Sequence, residues 1–335
     1  MKTDRATPQR IFETLGAFRT TAALRTGIEL DVFTAVAEGH ISPTDLAQRC
    51  SASSCRIQKL CDYLTVLGFL EKRDGTYMLS PDAAVFLDRR SSAYLGASAS
   101  EALAGEALMG AFSTLTEAVR RGGTALEGGG TLAPEHPVWI AFARAMAVPG
   151  LFLARLLADS LAEGSEPSLK ILDIAGGHGL YGIEFAKRNP LTQVFAVEWP
   201  DVLAVARANA EEAGVLDRFH SISGDALKVD FGAGYDLALI TNFLPDLGST
   251  EGLLRRIHSA LNEGGRVALF ELMLDEDRIS PAAAVSLNLA LLATTPSGET
   301  RTASQLSEVL RRAGFRRVEV RDVPPAPNRV AIAYM

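Results

Sequence analysis

The sequence predicts an α/β protein in which a parallel, doubly wound sheet follows a smaller helical domain. An apolar run at 169–174 leads directly into a turn and then into a helical pattern that begins at Leu180. The turn contains Gly176, Gly177 and Gly179. Such a run is typical of a buried parallel strand, and the glycines let the backbone approach a ligand closely. Because the following helix offers free N–H groups at its N-terminus, the segment predicts a nucleotide-type pocket.

Apolar segments further along the chain supply the other strands of the predicted sheet. They cover 193–198, 220–223, 235–242 and 266–271, and a final antiparallel pair is expected at 315–320 and 330–334. Glu198 lies about 20 residues beyond the glycines, where an acid accepts hydrogen bonds from ribose hydroxyls. Asp225 follows the third strand, where an acid could bind the exocyclic amine of an adenine, and Asn242 ends the fourth. The pattern therefore predicts a nucleoside ligand at the carboxyl ends of the strands.

These features in this order resemble the class I S-adenosylmethionine-dependent methyltransferases. The resemblance is greatest to the small-molecule O-methyltransferases that carry an N-terminal winged-helix dimerisation domain, and it covers nearly the whole chain. It implies a Rossmann-like sheet, S-adenosylmethionine as cofactor, a small-molecule substrate and a homodimer. The cofactor-binding residues that it implies are Asp173, Gly176, Gly177, Gly179, Glu198, Trp199, Asp225, Ala226, Asn242 and Phe243. The resemblance also favours a cofactor-loop role for His178 over a catalytic one.

The N-terminal segment has the pattern of a winged helix. Ser42-Pro43 is a strong helix start, a second helix follows, and Asp74-Gly75 marks a hairpin turn. A winged helix can bind DNA, but the charges of this helix and wing are mixed, and the chain carries a net charge of −7. The pattern therefore predicts no nucleic-acid partner. We expect a homodimer interface formed by residues 8–40 and 91–115 instead.

The length and composition predict two domains in a reducing compartment. A chain of 335 residues exceeds a usual single domain, and the expected division is 1–100 for dimerisation, 101–165 for a helical linker that covers the active site, and 166–335 for catalysis. The start is polar, with no secretory segment, and no run of about 18 uncharged apolar residues predicts a membrane span. Three clustered cysteines match no zinc spacing. We expect a cytoplasmic enzyme with no metal.

The end of the fourth strand lacks the residue on which catalysis depends in the similar family. Members usually carry His-Asp-Trp or His-His-Phe after Asn-x-Leu, and the first His removes the proton from the substrate hydroxyl. Here the stretch reads Asn242-Phe243-Leu244-Pro245-Asp246. Pro245 occupies the place of the base, and its side chain can neither accept nor donate a proton.

Three alternatives follow from this departure. In the first, methyl transfer depends on proximity and orientation alone, on an acceptor that is already ionised, enolic or nitrogenous. In the second, an acid replaces the His, and the candidate catalytic residues are Asp246 and Glu271, which ends the fifth strand. In the third, methyl transfer is lost, and the pocket performs a cofactor-assisted cyclisation or pericyclic rearrangement, as some members of the superfamily do. We favour methyl transfer without a His base.

Candidate substrate residues precede the glycine turn and lie near the C-terminus. In the similar family, a helix before the first strand carries aromatic and Met side chains that cover the cofactor and the substrate. The candidates here are Phe142, Arg144, Met146 and Asn288. Core packing is an equally good explanation for any one apolar member of this set. A mostly apolar pocket suits an aromatic or polyketide-like acceptor.

Overall fold

The computed structural model describes residues 6–162 and 168–335, which form two compact units. The first unit is Met1–Gly105 and the second is Glu106–Met335. Residues 106–162 lie in the same unit as the sheet. The expected three-part division stays a prediction, and its boundary between residues 165 and 166 lies outside the described residues.

The first unit contains the predicted helix-turn-helix and hairpin. Its elements are α1 (Gln9–Gly16), α2 (Phe18–Glu29), α3 (Val32–Ala37), α4 (Pro43–Arg49), α5 (Ser54–Val66), β1 (Leu70–Arg73), β2 (Thr76–Leu79), α6 (Pro81–Phe86) and α7 (Gly96–Ala104). The Ser42 hydroxyl accepts a hydrogen bond from the Asp45 N–H at 3.2 Å, which caps α4. Asp74 and Gly75 both have positive φ values, 47° and 79°, as the tight turn between β1 and β2 requires.

The second unit is a seven-stranded sheet with helices. Its elements are α8 (Glu106–Ser113), α9 (Leu115–Arg121), α10 (Val138–Leu161), β3 (Lys170–Ile174), α11 (Leu180–Arg188), β4 (Gln193–Glu198), α12 (Pro200–Glu212), β5 (Phe219–Ser223), β6 (Tyr235–Thr241), α13 (Glu251–Ala260), β7 (Leu261–Glu271), α14 (Ala282–Thr294), α15 (Ala303–Arg312), β8 (Arg317–Asp322) and β9 (Arg329–Tyr334). The strand order is β5-β4-β3-β6-β7-β9-β8, and only β9 runs antiparallel to its neighbours. The Rossmann-like sheet and its final antiparallel pair are therefore confirmed.

The strand order places a crevice at the carboxyl edge of the sheet. The chain runs outward from β3 through β4 to β5 and then returns to β6 on the other side of β3. Neighbouring connections therefore lie on opposite faces, and the carboxyl ends of β3 and β6 open a gap between them. The fully buried residues Leu172 on β3, Ala238 on β6 and Leu269 on β7 anchor the middle of the sheet in the core.

Helix α10 has the length and hydropathy of a membrane-spanning helix. Its small residues, among them Ala154 and Ala158, are buried within the second unit, and the helix packs against α11 and α12. Arg144 and Arg155 interrupt its apolar run. We interpret α10 as a core helix, and the cytoplasmic location stays a prediction.

Candidate active site

The glycine turn after β3 is shaped by positions that exclude side chains. Gly177 and Gly179 have φ values of 56° and 72°. A Cβ atom at Gly179 would lie 2.9 Å from the Cβ of Ala206, and one at Gly182 would lie 2.6 Å from Cγ1 of Val194. The turn and the first part of α11 can therefore lie close to α12 and β4 only because these positions are glycine.

Replacing Gly182 with Ala should destabilise the protein by about 1–3 kcal/mol, because the new methyl group would be forced against Val194. Gly252 in α13 is a matched control, since a Cβ there has no neighbour within 4 Å. Gly252→Ala should leave stability unchanged or raise it by up to about 1 kcal/mol, because Ala is a better helix former. Urea unfolding of both variants measures the difference. A Gly182→Ala protein as stable as Gly252→Ala would contradict the tight packing.

Asp173 lies beneath the glycine turn and is fully buried. Its Oδ2 accepts a hydrogen bond from the Gly182 N–H at 3.3 Å, whereas Oδ1 has no partner. A Cβ at Gly176 would lie 2.6 Å from Oδ1. Burial raises the pKa of Asp173 to about 7, and the charge of Glu198 adds to the rise. The turn can therefore form a cradle over the Asp173 carboxyl only because position 176 is glycine.

Glu198 ends β4 beside this cradle. Its Oε2 accepts a hydrogen bond from the Trp199 N–H at 2.7 Å, and its backbone carbonyl accepts one from the Gly224 N–H at 3.0 Å. Burial raises the pKa of the carboxyl, and hydrogen bonds from the Trp199 and Gly177 N–H groups oppose the rise. An acid in this place can accept hydrogen bonds from two neighbouring hydroxyl groups of a ligand.

The remaining predicted cofactor residues lie just beyond β5 and β6. Asp225 is partly buried, accepts a hydrogen bond from the Leu227 N–H at 2.9 Å and pairs with Lys228 at 3.0 Å. Ala226 next to it is buried. Asn242 has a φ of 53°, and its Oδ1 accepts a hydrogen bond from Asn328 at 2.8 Å. The structure therefore brings all ten predicted cofactor residues to the carboxyl edge of the sheet.

Glu271 and Asp246 lie in different environments. Glu271 is 1% exposed, and its Oε1 accepts hydrogen bonds from the N–H groups of Phe243 at 3.3 Å and Leu244 at 3.2 Å. Asp246 is partly exposed, and its carboxyl has no hydrogen-bond partner among the described residues. Burial raises the pKa of Asp246 to about 7. Burial and then the charge of Asp246 hold the pKa of Glu271 well above its usual value. Glu271 is therefore bonded to the backbone of the turn, whereas the carboxyl of Asp246 is not bonded to any of the described residues.

Arg301 is not among the candidate site residues expected from the sequence. It is 6% exposed and donates hydrogen bonds to the carbonyls of Leu244 at 3.1 Å, Leu247 at 2.8 Å and Gly248 at 3.1 Å. It precedes Thr302, which caps α15 with a capping box. The cap shows where α15 begins but not where the Arg side chain points.

The candidate substrate residues lie on two helices. Phe142 on α10 is 36% exposed and packs edge-to-face on Trp139, with ring centroids 5.9 Å apart. Arg144 is exposed and Met146 is partly buried. Asn288 on α14 is partly buried, and its Oδ1 accepts a hydrogen bond from the Thr300 N–H at 2.8 Å. Among the described residues, no hydrogen bond or ring contact joins the α10 set to Asn288, so their common pocket stays a prediction.

His178 is packed into the glycine turn rather than exposed to a substrate. It is 6% exposed, its Nδ1 accepts a hydrogen bond from the Leu180 N–H at 3.1 Å, and its ring stacks on Tyr181. Burial lowers its pKa to about 4. A neutral imidazole with Nδ1 already engaged is poorly placed to act as a general base, in agreement with the expected loop role.

Comparison with known proteins decides the family. The O-methyltransferase domain matches residues 151–316, and the O-methyltransferase dimerisation domain matches residues 12–89. The acetylserotonin O-methyltransferase of Mus musculus is 30% identical, over 94% of this chain and 85% of its own. The chain belongs to the O-methyltransferase family with an N-terminal dimerisation domain. It is a methyltransferase that uses S-adenosylmethionine.

Two further relatives cover almost the full length of this methyltransferase. The tetracenomycin polyketide synthesis 8-O-methyl transferase of Streptomyces glaucescens is 28% identical, over 97% of this chain and 96% of its own. The crystal structure of a candidate O-methyltransferase from Nostoc punctiforme has 40% sequence identity and a TM-score of 0.93, over 99% of this chain and 100% of its own. Both units of the fold therefore match those of the family.

Proposed function

We propose that this enzyme transfers the methyl group of S-adenosylmethionine to a hydroxyl group of a small, aromatic or polyketide-like molecule, with Asp246 as the general base. One observation carries the proposal. Asp246 is a partly exposed carboxyl with no hydrogen-bond partner among the described residues and a pKa of about 7, and it directly follows the Pro245 that replaces the usual His. A base whose pKa lies near the working pH is the most effective one.

The residues of the carboxyl edge fit the cofactor. The Asp173 carboxyl lies directly beneath Gly176, the backbone at Gly177 faces open space, and Glu198 supplies an acceptor for ribose hydroxyls. When bound, S-adenosylmethionine supplies an electrophilic methyl group on a sulfonium centre. Asp225 and Ala226, at the end of the next strand, are placed to border the adenine.

Asp246 can act only while it is ionised. At a pH above about 7 its carboxylate accepts the proton of the substrate hydroxyl, and the oxygen gains the electron density that it needs to attack. Glu271 serves this step differently. Because Glu271 is buried and bonded to the N–H groups of Phe243 and Leu244, we assign it to holding the turn rather than to proton transfer.

The substrate class rests on the pocket and on the relatives. Phe142 and Met146 offer apolar surface, and Asn288 holds its carbonyl on the Thr300 N–H, so that its amide N–H₂ group is left for a ligand. The relatives with named substrates include a tetracenomycin 8-O-methyl transferase and a 3-hydroxy-5-methyl-1-naphthoate 3-O-methyltransferase. Hydroxylated polycyclic aromatic compounds are therefore the first acceptors to test.

The test is a coupled measurement of both products. The enzyme is incubated with S-adenosylmethionine and a panel of hydroxylated naphthoates and anthraquinones, and S-adenosylhomocysteine and methylated product are quantified together. We expect them in a 1:1 ratio. Conversion of an acceptor with full recovery of S-adenosylmethionine would instead establish the cyclase alternative.

The N-terminal helices provide a surface for the homodimer that we propose. Ile11, Phe12, Leu15 and Phe18 are 62–71% exposed, and α1 has no buried residue at all. Apolar side chains at helical spacing on one face are typical of an interface. The family dimerisation domain covers this segment from residue 12.

Replacing Leu15 and Phe18 together with Glu should convert the dimer into a monomer, because two charges would be buried in an apolar interface. Sedimentation velocity at micromolar concentration measures the change. Glu13→Lys is the control, since it alters a charge on another side of α1. A native protein that sediments as a stable monomer would contradict the proposed dimer.

A further inference from the structure

Two buried side chains, the carboxyl of Glu271 and the guanidinium of Arg301, bind the backbone of the segment from Phe243 to Gly248. Glu271 accepts hydrogen bonds from the first two N–H groups of the segment. Arg301 donates to three of its carbonyls, those of Leu244, Leu247 and Gly248. Leu244 is therefore bound at both its N–H and its C=O group, and Asp246 lies between the residues that Arg301 holds.

The loop that carries Arg301 makes a second set of close contacts with the same segment. The Glu299 N–H donates to the Pro245 carbonyl at 2.7 Å. A Cβ at Gly298 would lie 2.8 Å from that carbonyl oxygen and 3.0 Å from the carbonyl oxygen of Asp246. These contacts leave so little space that the loop cannot move closer to the Phe243–Gly248 segment. A shorter side chain at position 301 therefore cannot regain the lost hydrogen bonds by a shift of the loop.

Few ionisable groups interact with Asp246 in this region. Glu271 on β7 interacts with it directly, and Arg301 and Glu299 lie on the neighbouring loop, 3.6 Å from each other. Arg301 is the one cation of this set, and its charge acts on Glu271 and Glu299, whereas burial raises the pKa of Asp246. Arg301 therefore acts on Asp246 through the backbone carbonyls that it binds rather than through its charge.

We propose that Arg301 is a positioning residue for methyl transfer, which fixes the Phe243–Gly248 segment and thereby keeps the carboxyl of Asp246 in place. The proposal rests on the proposed role of Asp246. The hydrogen bonds from Arg301 to the carbonyls before and after Asp246 set where its carboxyl lies.

Two substitutions test this role. Arg301→Met removes all three hydrogen bonds to the segment, so we expect kcat to fall about 10²-fold. Arg301→Lys cannot reach all three carbonyls in the same geometry, so we expect it to lower kcat as well, but by less than Arg301→Met does. KM for the acceptor and the affinity for S-adenosylmethionine should change little in both variants.

A matched control and a second measurement complete the experiment. Arg311→Met removes an exposed Arg of α15 and should not change kcat. If Arg301→Met does not fold, the Arg301→Lys result alone decides, and an unchanged kcat overturns the proposal. A folded Arg301→Met enzyme with native kcat overturns it as well.

Carboxyl signals distinguish this proposal from the function on which it rests. Carbon-13 labelling of the Asp side chains, with the Asp246 signal assigned by its loss in Asp246→Asn, follows the environment of this carboxyl without any substrate. A shifted or broadened Asp246 signal in Arg301→Met, but not in Arg311→Met, supports the positioning role even if the native enzyme forms no S-adenosylhomocysteine. An unchanged Asp246 signal in Arg301→Met rejects it even if methyl transfer is confirmed.

Discussion

Replacing Asp246 with Asn should lower kcat/KM by about 10²–10⁴, the usual loss when a general base is removed. The amide is nearly the same size but cannot accept the proton of the substrate hydroxyl. The native pH profile should rise through a midpoint near 7, because Asp246 is protonated below that pH and cannot act. In Asp246→Asn this limb should disappear, and the remaining rate should follow the ionisation of the acceptor itself.

Two controls make the result specific to the base. Asp217→Asn changes an exposed acid that lies before β5 and should leave the rate and the profile unchanged. Calorimetry with S-adenosylmethionine should give the same affinity for Asp246→Asn as for the native enzyme. A rate that falls less than threefold would reject Asp246 as the base and favour methyl transfer by proximity alone.

The structure also distinguishes Asp246 from Glu271, two candidate general bases that the sequence could not rank. Asp246 and Glu271 are both at the carboxyl edge, and their spacing in the chain says nothing about burial. Glu271 binds N–H groups of residues that precede it by 27 and 28 positions, so its role depends on the pairing of β6 with β7. The pKa of Asp246 depends on atoms from several segments that pack around it. Neither property has a local pattern.

Local signals predicted the elements that frame the site. The strand expected at 193–198 is Gln193–Glu198, because an apolar run between polar ends has one favourable place in a parallel sheet. Ser42 and Thr302 begin helices, as their capping patterns indicate. Arg301 shows the limit of this reasoning. A single Arg in a polar loop is ordinarily expected to be exposed. Only the folded structure shows that Arg301 is buried and bonded to three backbone carbonyls.

Replacing Glu198 with Ala should weaken the binding of S-adenosylmethionine at least tenfold. Each charge-assisted hydrogen bond from a ribose hydroxyl contributes roughly 1.5–3 kcal/mol, and the substitution removes the acceptor of both. Isothermal titration calorimetry measures the dissociation constants of the native protein and the variant. The fold should survive, because Glu198 is at the end of β4 and its main structural bond is to the neighbouring Trp199 N–H.

Glu212→Ala is the matched control for this experiment. It removes an exposed Glu at the end of α12, the helix that follows Glu198, and should leave the affinity unchanged. Glu198→Gln adds a further distinction, since the amide keeps one acceptor oxygen and loses the charge. We expect its affinity to lie between those of the native enzyme and Glu198→Ala. If Glu198→Ala binds the cofactor as tightly as the control, the ribose does not lie on Glu198, and the cofactor site must be assigned to other residues of the carboxyl edge.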